Sequence, residues 1–144
     1  NSITEDDIEK FVGVSKEFNV FELQQAIAQR DLYKAVRIVN YFGSNPKAAP
    51  LQLVFPSLYN FNSKVQVVYT VSSRDEKTVA SALGVNAYFV KDYVSTATKF
   101  SYPEIEKILL LLYEYNLRNL GVNDAGTDGA ELLKEMVVKM IAPL

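Results

Sequence analysis

The stretch SYPEIEKILLLLYEYNLRN, residues 101–119, determines the fold class. Ser101 and Glu104 have the spacing of a capping box, and Pro103 between them suits the first turn of a helix. Residues 108–113 are apolar without a break, which predicts a helix that is central and buried. The polar residues of this helix share one stripe: Lys107, Glu114 and Arg118.

Helix signals of the same kind occur upstream. Asn19 and Glu22 form a capping-box-like start, and Asp31 caps a second helix that ends near Gly43. Because only Arg30 and Asp31 separate these helices, we expect a tight αα-hairpin. The second helix should bury one apolar face: Leu32, Ala35, Val36 and Val39. At the N-terminus, Thr4 and the acidic residues after it also predict a helix start.

The second half of the chain contains helix start and stop signals of the same kind. Residues 75–83 read as a short helix closed by Gly84, and Asn86 caps a helix that reaches about Lys99. Residues 121–129 are rich in glycine, asparagine and aspartate and predict a loop before a last helix over 130–141.

Residues 51–73 are open to two interpretations. Pro50 suits the first turn of a helix, and Pro56 should kink it. Residues 65–73 are rich in β-branched side chains and could form a strand. We favour helix, because no partner strand is evident and a lone strand cannot satisfy its backbone. The sequence therefore predicts a single compact all-α domain of seven or eight helices.

Composition favours binding or assembly over catalysis. The 144 residues include no cysteine, histidine or tryptophan. This removes thiol and histidine-activated nucleophiles, disulfides and cysteine zinc sites. The net charge of −2 argues against a lone nucleic-acid binder, and no apolar run approaches the ~20 residues of a membrane helix. We therefore assign no catalytic, cofactor-binding or metal-binding residues.

Two motifs carry alternatives. Asp124, Asp128 and Glu135 partly match a calcium-binding loop, but Gly126 and Leu132 stand where oxygen ligands are expected, so a loop that ends in a helix cap is favoured.

No glycine is followed by lysine or arginine, so a phosphate-binding loop of the G-x-x-x-x-G-K type is absent.

A helix-turn-helix motif leaves DNA binding open as an alternative function. Ala80, Gly84 and Val90 have helix-turn-helix spacing. The helix that would read bases begins with Ala87 and offers no arginine, asparagine or glutamine in its first turns. A compact packing unit of two helices explains the same spacing.

Tyrosine and arginine, which are enriched at interface hot spots, supply the candidate interaction residues. On the second helix these are Tyr33, Arg37 and Tyr41, and on the leucine-rich helix they are Tyr113 and Arg118. Each tyrosine is equally explained as an amphipathic side chain with its tip at the surface.

The order of several segments resembles the C-terminal domain of the DNA polymerase III delta subunit. NVFEL (19–23), AI (26–27), RD (30–31) and KAVRI (34–38) resemble the start of that domain. ALGV (82–85) with YFVK (88–91) resembles a later element, and FS (100–101) with EI (104–105) and the leucine-rich helix resembles the next. ITEDDIE (3–9) resembles the end of the preceding lid domain. Asn116 and Asn119 depart from the acidic residue and lysine usual in the family.

The resemblance implies an assembly role in the bacterial cytoplasm. Residues 1–14 would end the lid domain, and residues 15–144 would form the helical collar, or oligomerisation, domain. The collar of the clamp loader packs with the C-terminal domains of the delta-prime and gamma/tau subunits and so supports sliding-clamp loading in DNA replication. The domain would belong to the DNA polymerase III holoenzyme, would not itself be an enzyme, would need no cofactor or membrane, and would meet DNA only through the complex. The missing initiator methionine also suggests a fragment of a longer protein.

Overall fold

The computed structural model describes residues 18–47 and 49–143, so the predicted helix start at Thr4 and the lid segment 1–14 lie outside it. These two ranges contain seven α-helices, a 3₁₀ turn over Ala87–Phe89 and no strand, which confirms the all-α prediction for this part of the chain. The helices are α1 Val20–Ala28, α2 Leu32–Ser44, α3 Leu51–Val68, α4 Glu76–Leu83, α5 Val90–Lys99, α6 Tyr102–Asn119 and α7 Gly129–Ile141.

Most helices begin within a residue or two of the predicted starts. Ser101 accepts a hydrogen bond from the backbone N–H of Glu104, whose carboxylate accepts one from the backbone N–H of Ser101, so the capping box is confirmed. The side chains of four other predicted caps also accept backbone N–H bonds: Asn19, Asp31, Asn86 and Asp128. Asp75, which was predicted as the first residue of its helix, is instead the cap and accepts from the N–H of Thr78. Gly84 ends α4 with a left-handed φ of 68°, as expected for a C-terminal glycine.

The segment that was open to two interpretations is helical as far as Val68. Its β-branched residues Val65 and Val68 are buried in the core, so packing overrides their strand preference. Pro56 lies inside α3 on the exposed side. Because proline has no N–H, the carbonyl of Gln52 receives no i+4 bond, and its exposed position leaves it open to water.

Two 18-residue helices, α3 and α6, pack against each other at the centre. α3 also contacts α1, α4 and α5, whereas α7 contacts α1, α2 and α6. One polar pair is buried in this packing: Asn62 of α3 donates to the Gln24 side-chain carbonyl of α1 at 2.8 Å and to the Leu58 backbone carbonyl at 2.8 Å. No helix within the two described ranges is long and apolar enough to cross a bilayer.

Arg30 closes the α1–α2 hairpin and reaches three distant parts of the fold. Its backbone is left-handed, with φ of 57°. Its guanidinium forms an ion pair with Glu104, donates to the carbonyl of Ile141 at 3.2 Å and lies 4.6 Å from the ring centroid of Phe100. The hairpin turn is thereby tied to the start of α6 and the end of α7.

Two predicted buried faces need correction. Ile108 and Leu112 of α6 are buried, but Leu110 is 70% exposed and Tyr113 is 62% exposed. The helix is not covered all round, because α3 and α7 are its main neighbours and one side is left to solvent. In α2, Leu32 is exposed and Val36 only half-buried; the buried face runs through Ala35, Ile38, Val39 and Phe42.

Candidate protein-interaction surfaces

The predicted residues of α2 form a small aromatic and basic group. Tyr33 is 77% exposed. The guanidinium carbon of Arg37 lies 5.8 Å from the Tyr33 ring centroid and 5.5 Å from that of Phe18. Tyr41 is half-buried, and its ring meets Phe18 edge-on at 5.6 Å. The exposed Arg37 side chain thus lies within cation–π distance of both rings at the surface of α2.

Arg118 is held by the domain itself. Its guanidinium hydrogen-bonds the carboxylates of Asp124 at 3.1 Å and Glu135 at 3.2 Å, and it lies 4.9 Å from the ring centroid of Tyr115. Asp124 in turn accepts from the backbone N–H of Thr127, so it folds the α6–α7 loop around Arg118. Arg118, which was predicted to be an interface residue, is therefore already hydrogen-bonded within the domain.

The pKa values of the groups in this network are shifted by the same contacts. Burial lowers the pKa of Arg118, but the hydrogen bonds to Asp124 and Glu135 outweigh it and leave that pKa raised. The hydrogen bond donated by Tyr115 is the largest of several contacts that hold the pKa of Glu135 below its usual range. Burial, followed by the bond to Glu135, raises the pKa of Tyr115. The groups therefore stay in one charge state near neutrality and favour a structural role over proton transfer.

The loop that partly matched a calcium site is explained by protein contacts. The Asp124 carboxylate receives the Arg118 guanidinium and the backbone N–H groups of Gly126 and Thr127. Asp128 caps α7 by accepting from the N–H of Ala130. Within residues 18–47 and 49–143, no group of three or more acidic side chains is arranged to hold a metal ion.

An apolar stripe runs along the solvent side of α6. Leu110, Tyr113 and Leu120 are exposed, and Leu117 is half-buried between them. We call these four residues the α6 stripe. The apolar run predicted Leu110 in the core, and no sequence signal was assigned to Leu117 or Leu120. The four residues of the stripe are spaced three, four and three positions apart, and this helical spacing in the sequence could have identified Leu117 and Leu120.

Two grooves flank the α6 stripe and share Tyr113 as the ridge between them. The first, of 450 Å³, lies between α3 and α6 and includes Pro56, Tyr59 and Asn116. The second, of 390 Å³, lies beside the α6–α7 loop and includes Arg118 and Val122. Of the two asparagines that depart from the family pattern, Asn116 therefore lines a groove, whereas the side chain of Asn119 lies over the backbone of Gly129.

A second aromatic surface surrounds Phe21 on the other side of α3. Tyr88 is 81% exposed, Phe89 is also exposed, and both line a depression with Phe21. Behind it, Phe61 stacks on Tyr93 with ring centroids 4.5 Å apart. We call Phe21, Tyr88 and Phe89 the Phe21 surface.

The helix-turn-helix spacing corresponds to α4, the turn at Gly84 and α5, joined through the 3₁₀ turn. The second helix, VKDYVSTATK, contains two lysines and one aspartate, with no arginine, asparagine or glutamine. The residues exposed just before it are the aromatics Tyr88 and Phe89. Nothing in this geometry favours reading of base edges.

The predicted interaction residues thus fall into two groups on different helices. Tyr33, Arg37 and Tyr41 lie together on α2, and Tyr113 and Arg118 line one groove at α6. Tyr33 and Tyr113 are as exposed as an interface residue requires, whereas Arg118 serves the fold. Their role in contacting a partner stays a prediction.

Comparisons with known proteins address the family. A family model described as the C-terminal domain of the DNA polymerase III delta subunit matches residues 17–119. The DNA clamp loader delta protein of Bacillus subtilis has a similar solved structure, with a TM-score of 0.70 and 20% sequence identity. The match covers 94% of this chain and 39% of that one, so the chain spans well under half of its length. No curated protein sequence matches the chain significantly.

The structural likeness establishes the fold, and the family model establishes the relationship, from the residue before Phe18 to the last residue of α6. The chain belongs to the family formed by the C-terminal domains of DNA polymerase III delta subunits.

Proposed function

We propose that this chain is the collar, or assembly, domain of a bacterial clamp-loader delta subunit. In this role it binds the C-terminal domains of the delta-prime and gamma/tau subunits in the cytoplasm and so supports sliding-clamp loading during DNA replication. It meets DNA only through the complex and performs no chemistry of its own. We also propose the boundary that the sequence suggests, with residues 1–14 ending a lid domain and residues 15–144 forming the collar.

The observation that carries this proposal is the exposed α6 stripe within a domain of this family. Leu110 and Tyr113 lie on α6 and Leu120 directly follows its last residue; all three have most of their surface in water, next to two grooves. Contiguous exposed apolar surface of this kind marks protein-interaction sites. None of these three side chains belongs to the hydrophobic core of the described residues or packs against it.

A binding experiment tests the assembly role. The chain is titrated into the purified C-terminal domains of the delta-prime and gamma/tau subunits from the same organism, and binding is followed by calorimetry and by gel filtration with light scattering. We expect a complex with a Kd of about 10 μM or tighter, in the range of specific interfaces that bury ~1,200 Å² or more. If folded partners show no binding at ten times that concentration, the proposal is wrong.

DNA binding is examined in the same preparation. Fluorescence anisotropy with labelled duplex and single-stranded DNA at low salt should show no binding by the chain alone, because its net charge is −2. Affinity that falls steeply with added salt would instead favour the helix-turn-helix interpretation.

A further inference from the structure

The α6 stripe has the spacing of a helix-packing seam. Leu110, Tyr113, Leu117 and Leu120 occupy positions i, i+3, i+7 and i+10, which is the a/d pattern of a coiled coil. At a rise of 1.5 Å per residue the stripe is about 15 Å long, or almost three helical turns. Among the described residues, α3 and α7 pack on the other sides of α6 and leave Leu110, Tyr113 and Leu120 exposed.

The charges beside the stripe select the partner's chemistry. Glu106 and Glu114 of α6 are exposed, and within residues 18–47 and 49–143 neither makes an ion pair or a hydrogen bond. Glu114 acts on Lys139 of α7 only through the longer-range electrostatic interaction, because Lys139 is paired with Glu135. Both basic residues of α6 are engaged internally. Lys107 donates to the carbonyl of Ala142 at 2.7 Å, and Arg118 is held by the acidic residues of the α6–α7 region. The outer side of α6 is therefore apolar and acidic.

We propose that the α6 stripe receives one amphipathic helix of a neighbouring clamp-loader subunit. That helix lies along α6 with leucine-type residues at a/d spacing and with lysine or arginine at its flanks, facing Glu106 and Glu114. Side chains of the partner helix enter the two grooves on either side of Tyr113. This inference rests on the proposed function and adds the face and the partner's chemistry.

Single substitutions in the stripe test the face. Leu110→Ser and Tyr113→Ser remove exposed apolar side chains, and circular dichroism should report a native fold for both. In titrations with the loader domain that binds the wild-type chain, each should raise the Kd about 30-fold, as expected for central hot spots. Tyr88→Ser is the matched control, because Tyr88 is more exposed than either stripe residue but lies on the Phe21 surface. It should change the Kd less than about twofold.

Charge substitutions test the partner's chemistry. Glu114→Lys and Glu106→Lys should each slow association at low salt, and the difference from wild type should shrink as ionic strength rises. Glu76→Lys, beside the Phe21 surface, is the matched control and should leave the association rate near wild type. Faster association of the α6 variants would overturn the assignment of a basic partner helix.

Other outcomes separate this inference from the proposed function. If the wild-type chain binds loader subunits but the stripe variants bind equally well, the α6 assignment is overturned and the assembly role stands. If the wild-type chain binds none of them, both are overturned. A dimer of the chain that Leu110→Ser dissociates would show that a second copy occupies the stripe, which also overturns the inference.

Discussion

Replacing Asn62 with leucine should destabilise the domain, because the buried amide of Gln24, 38 residues away in the sequence, loses its hydrogen-bond partner. Asn62 and Gln24 join α3 to α1 and are 1% and 2% exposed. Asn62 donates to Gln24 at 2.8 Å, and Gln24 returns a longer bond of 3.4 Å. Asn62→Leu would leave the Gln24 amide buried with neither bond. The carbonyl of Leu58 would keep its own helical hydrogen bond and adds no penalty.

The magnitude follows from the cost of one orphaned buried amide. An unsatisfied buried polar group costs about 1–3 kcal/mol, so we expect Asn62→Leu to lower the free energy of unfolding by about 2 kcal/mol. Gln24→Leu should cost a similar amount for the same reason. The double variant Gln24→Leu/Asn62→Leu removes both amides together and should lie within about 1 kcal/mol of wild type.

Urea unfolding followed by circular dichroism measures each value. For a domain of this size, about 2 kcal/mol corresponds to a fall in Tm of about 4–8 °C. Asn60→Leu, on the exposed side of the same helix, is the control and should stay within about 0.5 kcal/mol of wild type. The reasoning is refuted if the effects of the two single substitutions add to within about 0.5 kcal/mol in the double variant.

Three further predictions concern helix packing, helix continuity and acid. Gly43→Ala should lower the Tm although alanine is the better helix former, because its Cβ would lie 2.9 Å from that of Ala130; adding Ala130→Gly should restore it, and no recovery would contradict this. Pro56→Ala should raise the free energy of unfolding by about 1–2 kcal/mol in urea, since α3 regains a backbone hydrogen bond; a decrease would contradict this. The hydrogen bond from Ser73 is the largest contribution that lowers the pKa of Asp75 to about 2, so the stability it gives is present above about pH 4 and lost as the pH falls toward 2. Ser73→Ala should raise that pKa in an NMR titration, and an unchanged pKa would contradict the assignment.

The helix starts could be predicted because their causes are local. Asn19, Asp31 and Asp75 each bond a backbone N–H three residues ahead, and Ser101 and Glu104 complete a box within the same distance. Such signals are complete within a single turn of sequence and do not depend on tertiary neighbours.

The candidate site was only partly predictable because exposure and pairing depend on distant residues. Leu110 looked like core, and only the placement of α3 and α7 shows which side of α6 remains in water. Arg118 looked available, yet Asp124 and Glu135, 6 and 17 residues away, engage it once the α6–α7 loop folds back. Tyr113 ended the apolar run that was predicted to be buried, and its exposure agrees only with its separate selection by residue type as an interaction residue.

The three contacts of Arg30 bear on the lifetime of the folded state. Its side chain reaches residues 74 and 111 positions away, so these contacts close very long loops of the chain. Contacts that are absent from the folding transition state act on the unfolding rate in place of the folding rate. A left-handed backbone would ordinarily favour glycine at this turn, but glycine would provide none of these contacts. Arginine at this position therefore favours a domain that unfolds slowly.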